Sequence, residues 1–285
     1  MADNNLEVPW TEEQWNRVRQ VVRDEARGAR VAGSILPLVG PLGANASYVS
    51  LENLIEPNAG IGDDQVPGFT VDDTRTLKLS TLQVKVFLRS AQIADPELSS
   101  ALTAFRRAAN ILARLEDDIV FKGHAVASQS LPPGGEISGG DQTDGLPTAA
   151  TNTQSVGSAK LGEALVTAIS GAVGALERRF HLGPFACVLG HAYFQAIQTP
   201  NNSLVLPQDR ILPFLGGGPL ARCSSLSDNA GLVIALGGAP IDLVIATDMT
   251  VEFLQTTPTA WSVFRVYEKM ALRIKQNDAI EVLTA

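Results

Sequence analysis

Residues 95–123 read DPELSSALTAFRRAANILARLEDDIVFKG, and their periodicity predicts the long helix around which the rest of the chain is arranged. Asp95 reads as the N-cap and Pro96 as the first helical residue. Leu98, Ala101, Leu102, Phe105, Ala109 and Leu112 then recur at three- and four-residue steps along one face. The helix is expected to end near Gly123. Immediately upstream, Leu77 and Leu79, then Leu82, Val84, Val86 and Leu88, alternate with polar partners, which predicts a strand leading into the helix.

Further upstream, Thr11-Glu12-Glu13-Gln14 is a capping box, and Pro9 prevents an earlier helix start. Trp15, Val18, Val22, Ala26 and Ala29 form the apolar stripe of that first helix. Its arginines, Arg17, Arg19, Arg23 and Arg27, are offset by Glu12, Glu13, Asp24 and Glu25. From Ala32 to about Thr76 the chain is rich in Gly, Pro and Asn with weak alternation, which reads as an extended arm. Downstream, residues 125–158 are crowded with Gly, Pro, Ser and Thr, so a loop or partly disordered insertion is expected. A helix over about 159–178, a short buried strand over 184–189, a short helix over 191–198, and strands over 231–236 and 241–254 follow. The clearest strand is the last. Phe264, Val266, Met270, Leu272 and Ile274 face one way, and Arg265, Lys269, Arg273 and Lys275 face the other. The architecture read from this pattern is α+β.

Composition bounds the function. The net charge is −8, and the 22 Lys and Arg form no long run, so no nucleic-acid partner is expected. The charged fraction of 18% is low for a solitary soluble subunit, so copies of the chain are expected to cover part of the apolar surface. Cys187 and Cys223 lack zinc-site spacing and read as reduced core thiols. The N-terminal residues lack the pattern of a signal peptide and no apolar run is long enough for a membrane span, which predicts a cytosolic protein with no membrane partner.

Motifs that carry chemistry are few. Consecutive residues of a helix point about 100° apart, so Glu116, Asp117 and Asp118 cannot converge on one metal ion unaided. They read as a solvated or interface helix end. His124, His181 and His191 have no metal or nucleophile spacing and read as core or surface histidines. Gly216-Gly217-Gly218-Pro219 reads as a tight turn, and Gly237-Gly238-Ala239-Pro240 as a hairpin turn joining two strands. No catalytic residue, metal site or cofactor is assigned, and the chain is read as not an enzyme.

Taken in order, several segments resemble one family. Trp10 and Trp15 lead through Ala29-Arg30-Val31 to Gly40-Pro41-Leu42-Gly43, which resembles the G-P-x-G segment of encapsulins. Glu116-Asp117-Asp118-Ile119-Val120-Phe121-Lys122-Gly123 resembles the helix ending of that family. Gly183-Pro184-Phe185 through Leu189, the glycines at 216–218 and 237–238, and the strand Leu243 to Val251 are similar to its later motifs. Two departures stand out: the composition of residues 125–158, and Thr247 where the family usually has Gln before Asp248.

The resemblance implies the tailed-phage major capsid protein fold, with a P domain, an A domain and an extended E loop. Mapped here, residues 1–46 hold the N-terminal helix and the start of the P domain, 47–80 the E loop, and 81–124 the P domain with its long helix. Residues 125–230 would be the A domain, including the insertion at 125–158, and 231–285 the last P-domain strands. The implied function is a structural subunit that assembles with itself into an icosahedral nanocompartment, encloses a cargo enzyme and gates small solutes. The resemblance also implies a targeting peptide on the cargo, of which a peroxidase or a ferritin-like protein would be examples. Position assigns peptide docking to Val31, Ile35, Leu38 and Leu243, for which burial in the subunit's own core is the competing reading. It assigns a neutral fivefold pore loop to Thr199, Pro200, Asn201, Asn202 and Ser203. A phage-type capsid subunit or a secreted bacteriocin or protease-like protein is the alternative. A phage subunit would be expected to carry a scaffold segment before the first helix.

Overall fold

A computed structural model describes residues 8–57, 60, 61, 64, 65, 68–200 and 205–285. The first helix, α1 (Glu12–Ala29), begins at the expected box: Thr11 Oγ1 accepts from the Gln14 N–H at 3.2 Å, and Gln14 Oε1 accepts from the Thr11 N–H at 3.0 Å. Val18, Val22 and Ala26 are fully buried along its inner stripe. Complete burial of a valine contributes roughly 1.5–3 kcal/mol, so this stripe fixes the helix against its neighbours. One turn of helix, α2 (Ala32–Ile35), and a two-residue strand, β1 (Leu38–Val39), follow.

The arm expected after them is a single interrupted hairpin. β2 (Tyr48–Ser50), β3 (Asn53–Ile55) and β4 (Gly60–Ile61) run outward, and β5 (Asp64–Gln65), β6 (Thr70–Asp72) and β7 (Thr76–Lys78) return. The pairs nest antiparallel: β2 with β7, β3 with β6, β4 with β5. Arg273 secures the hairpin's root, donating to the Ser50 carbonyl at 3.1 Å and pairing with Glu52 at 2.9 Å. Beyond the root, Leu54, Phe69 and Val71 remain exposed, as does Tyr48 at its base.

β8 (Ser80–Arg89) and one turn, α3 (Ser90–Ile93), lead to the long helix α4 (Ser99–Lys122). The helix starts at Ser99, not at Pro96. Leu98 turns its backbone to positive φ and is fully buried, and the Asp95 carboxylate holds the turn by accepting from the Glu97 and Ser99 N–H groups at 3.0 and 2.9 Å. The apolar face is as expected, with Leu102, Phe105 and Leu112 buried.

The stretch 125–158 departs from expectation, being ordered into α5 (His124–Gln129), β9 (Gly135–Gly139), α6 (Leu146–Ala149) and β10 (Asn152–Ser155). Its composition misleads because these strands join existing sheet edges through backbone hydrogen bonds, which require no apolar side chains. Close approach requires the glycines: a Cβ on Gly140 would lie 2.0 Å from Ser80 Oγ.

Next come α7 (Leu161–Arg178), β11 (Phe185–Leu189), α8 (His191–Gln198), α9 (Pro207–Ile211), β12 (Leu220–Arg222) and β13 (Gly231–Ala235). β14 (Ile241–Thr256), β15 (Trp261–Ile274) and β16 (Ile280–Thr284) complete the chain. Two five-stranded sheets result, ordered β1-β14-β15-β8-β9 and β10-β16-β13-β11-β12. Residues 237–240 therefore do not close a hairpin. β13 belongs to one sheet and β14 to the other, because β13 is already flanked by β11 and β16, and the turn is a crossing between sheets. α1 and α4 pack on the first sheet around Trp10, which stacks on Phe264 with ring centroids 5.0 Å apart and donates from Nε1 to the Ile93 carbonyl at 3.0 Å. α7 and α8 pack on the second sheet.

Candidate functional site

Where α1 ends, the backbone turns extended at Arg30, and the next three N–H groups need acceptors. The long helix supplies them. Asp117 Oδ1 accepts from the Val31 and Ala32 N–H groups at 3.0 and 2.7 Å, and Glu116 Oε1 accepts from the Gly33 N–H at 2.8 Å. Arg30 reaches Asp248 at 3.0 Å, Glu268 at 3.4 Å and Glu116 at 3.5 Å. Asp118 turns away to Arg114 at 3.2 Å and Lys122 at 2.8 Å.

The three acidic residues are thus buried within the subunit, so of the two readings, a solvated or an interface helix end, the solvated one does not hold. Their divergence by about 100° per residue, which argued against a shared metal, sends each to a different partner. Glu116 and Glu268 are both fully buried against one guanidinium. Burial is the leading cause raising Glu268 well above the usual carboxylate range, with the Glu116 charge next. Burial likewise raises Glu116, against the pull of Arg30. The charged form of each carboxylate is thus disfavoured by burial, and the Arg30 guanidinium opposes that shift in both. Burial pushes Asp117 up to about 7, although the Ala32 and Val31 N–H groups favour its ionised form.

Glu268 was absent from the sequence reading. Its signal was there to find, because it occupies the apolar face of β15 between Val266 and Met270, where an unpartnered glutamate would be costly.

Beside this cluster lies a groove of about 270 Å³. Arg23, Arg27 and Arg30 line one wall; Leu38, Val39, Gly40 and Pro41 line the other; Ile245 and Asp248 of β14 contribute as well. The wall at β1 is laid tightly along β14: a Cβ on Gly40 would fall 2.0 Å from the Ile245 carbonyl oxygen, and the φ of +131° suits only glycine.

The four residues assigned to peptide docking divide here. Leu38, on the edge strand, is 53% exposed and lines the groove. Leu243, its register partner one strand further in, is fully buried, and Ile35 is likewise buried in the subunit's own core. Val31 is half-buried and lines a different cleft, with Arg107, Arg114, Arg222 and His191. Of the pore-loop residues, Thr199 and Pro200 are exposed just past α8, and Asn201, Asn202 and Ser203 lie outside the described residues.

The other groups singled out for chemistry are held in structural contacts or open to solvent. His124 is buried between the Gly139 carbonyl at 3.0 Å and the Gln142 amide at 3.1 Å. His181 meets Asp278 at 3.1 Å, and His191 is exposed. Cys187 and Cys223 are free and buried, and burial raises both thiols, Cys223 to about 11.

Residues 4–271 match the model of a family described as encapsulating protein for peroxidase. The chain is 29% identical to the type 1 encapsulin shell protein EncA of Myxococcus xanthus (strain DK1622), over 97% of its own length and 94% of the relative. Its fold is similar to a virus-like particle from Pyrococcus furiosus, with a TM-score of 0.70 and 16% identity over 95% of this chain and 99% of the other. It is also similar to the capsid of the myovirus XM1, with a TM-score of 0.59 and 14% identity over 87% and 89% of the two chains. The holo-SrpI encapsulin complex of Synechococcus elongatus PCC 7942 superposes with a TM-score of 0.54 at 13% identity, over 99% of this chain and 92% of that one.

Proposed function

This chain belongs to the encapsulin family, and on that premise we propose that its copies close into an icosahedral shell that holds a cargo enzyme and admits small solutes. The observation that carries this reading is the hairpin arm, whose Tyr48, Leu54, Phe69 and Val71 side chains are exposed in the single subunit. Such a row of apolar side chains calls for a covering surface, and a neighbouring copy supplies it by repetition around the symmetry axes. The first sheet with α1 and α4 corresponds to a P domain, the second sheet with α7 and α8 to an A domain, and the hairpin to an E loop. The stretch 125–158 contributes to both sheets, and β13 and β16 go with the A domain.

The subunit itself is assigned no catalytic chemistry. The cargo, a peroxidase or ferritin-like enzyme, docks by a targeting peptide in the groove at Leu38, while Ile35 and Leu243 belong to the subunit's own core. The pore is assigned to residues 199–203 on their sequence alone, which carries no charge. A cytosolic site accords with two free thiols.

Size-exclusion chromatography with light scattering and negative-stain imaging test the shell. Closed particles of uniform diameter are expected, and a species of monomer or dimer mass would overturn the reading. A lysine or aspartate placed at Asn202 tests the pore: entry of a charged cargo substrate should change several-fold while assembly persists.

A further inference from the structure

We infer that the groove between α1 and β1 selects a targeting segment by charge: an extended strand with two carboxylates on one face and apolar side chains on the other. This rests on the proposal that cargo docks here, and adds the chemistry of the docked segment. Three observations lead to it.

β1 is the last strand of its sheet, hydrogen-bonded to β14 on one side only. An edge strand offers backbone donors and acceptors to an incoming extended peptide. Pro41, lacking an N–H, limits that pairing to the residues just before it.

The groove's charge is unbalanced. Arg30 is taken up by Asp248, Glu116 and Glu268. Asp248, the one carboxylate among the groove's lining residues, is therefore already paired. Arg23 and Arg27 have no carboxylate partner among the described residues; Arg23 Nε donates to the Arg19 carbonyl at 3.3 Å.

The spacing is also selective. Arg23 and Arg27 lie four residues apart on a helix, about 6 Å along its axis. Carboxylates at alternate positions of an extended strand are about 6.6 Å apart and share one face. The residue between them then points to the opposite face of the sheet, the side on which Val39 and Val244 lie.

Three tails test this on a green fluorescent protein co-produced with the full shell subunit: leucine alternating with aspartate, with serine, or with lysine. Fluorescence retained per purified particle is the readout. The aspartate tail should be retained at least tenfold over the lysine tail, less so as salt rises. In the double variant Arg23→Glu with Arg27→Glu the preference should reverse. Both arginines are exposed on α1, so particles should still form. Equal loading of all three tails would overturn the charge rule and leave docking in the groove standing. An aspartate preference that survives the double variant would also overturn it, by placing the attraction elsewhere. Loading of none would overturn both the charge rule and docking in the groove.

Discussion

The segment after α1 and the hairpin arm are both short of regular structure, but they are held in opposite ways. Residues 31–33 are fastened from within their own subunit. Asp117 and Glu116 accept their N–H groups, and Arg30 ties the turn to Asp248 and Glu268. The arm is fastened at its root by Arg273, and outward of that its ladders carry exposed Leu54, Phe69 and Val71. Charge buried with its partners makes a region complete in one chain. Apolar surface left facing outward makes a region complete only among several.

The largest effect should come from breaking the buried side. Arg30→Ala leaves Glu116 and Glu268 without their cation, and removing one partner of a buried ion pair typically costs about 3–5 kcal/mol. Soluble yield and the denaturant midpoint should both fall sharply. The paired change Phe69→Ser with Val71→Ser tests the other side. Both side chains are exposed, so subunit stability should shift by no more than about 0.5 kcal/mol. Light scattering should nevertheless show the closed particle lost. If the two variants lose stability and assembly together, the contrast is wrong.

A pH series sharpens the comparison. Asp117 holds its proton up to about 7 in the folded chain, against an ordinary 3.8. The native state thus binds that proton more tightly than the unfolded chain, so this stabilisation is full below about pH 4 and is lost as pH rises through 7. Denaturant midpoints should follow that trend, and Asp117→Asn should flatten it. Glu268 is raised too, so the same sign applies, and Glu268→Gln should remove its share of the loss with rising pH. The smallest change, Thr11→Ala, removes the N-cap of α1, touches neither region, and should cost about 1 kcal/mol.

Local pattern was readable where one segment contains its own explanation. The capping box at Thr11 and Gln14, the alternation from Phe264 to Ile274 and the apolar face of α4 each need only neighbours in sequence. Partnership across the chain was not readable. The acids at 116–118 look solvent-bound because their acceptor roles lie with Val31 and Gly33, 86 and 83 residues away. Residues 125–158 look unstructured because strands added to a sheet edge by backbone alone leave little apolar trace. Of the groove's lining residues, Leu38 was named from the sequence for peptide docking, which remains a proposal, while Arg23 and Arg27 looked balanced because their helix carries as many acids as bases.

The salt bridge from Arg30 to Asp248 spans 218 positions, and that to Glu268 spans 238. Synthesis runs from the N-terminus onward, so α1 emerges more than 200 residues before either anchor that seats its end. The groove therefore cannot form before β14 has emerged, and contacts so distant in sequence close late in folding. If cargo docks there as proposed, only subunits whose β14 and β15 are already in place would recruit it.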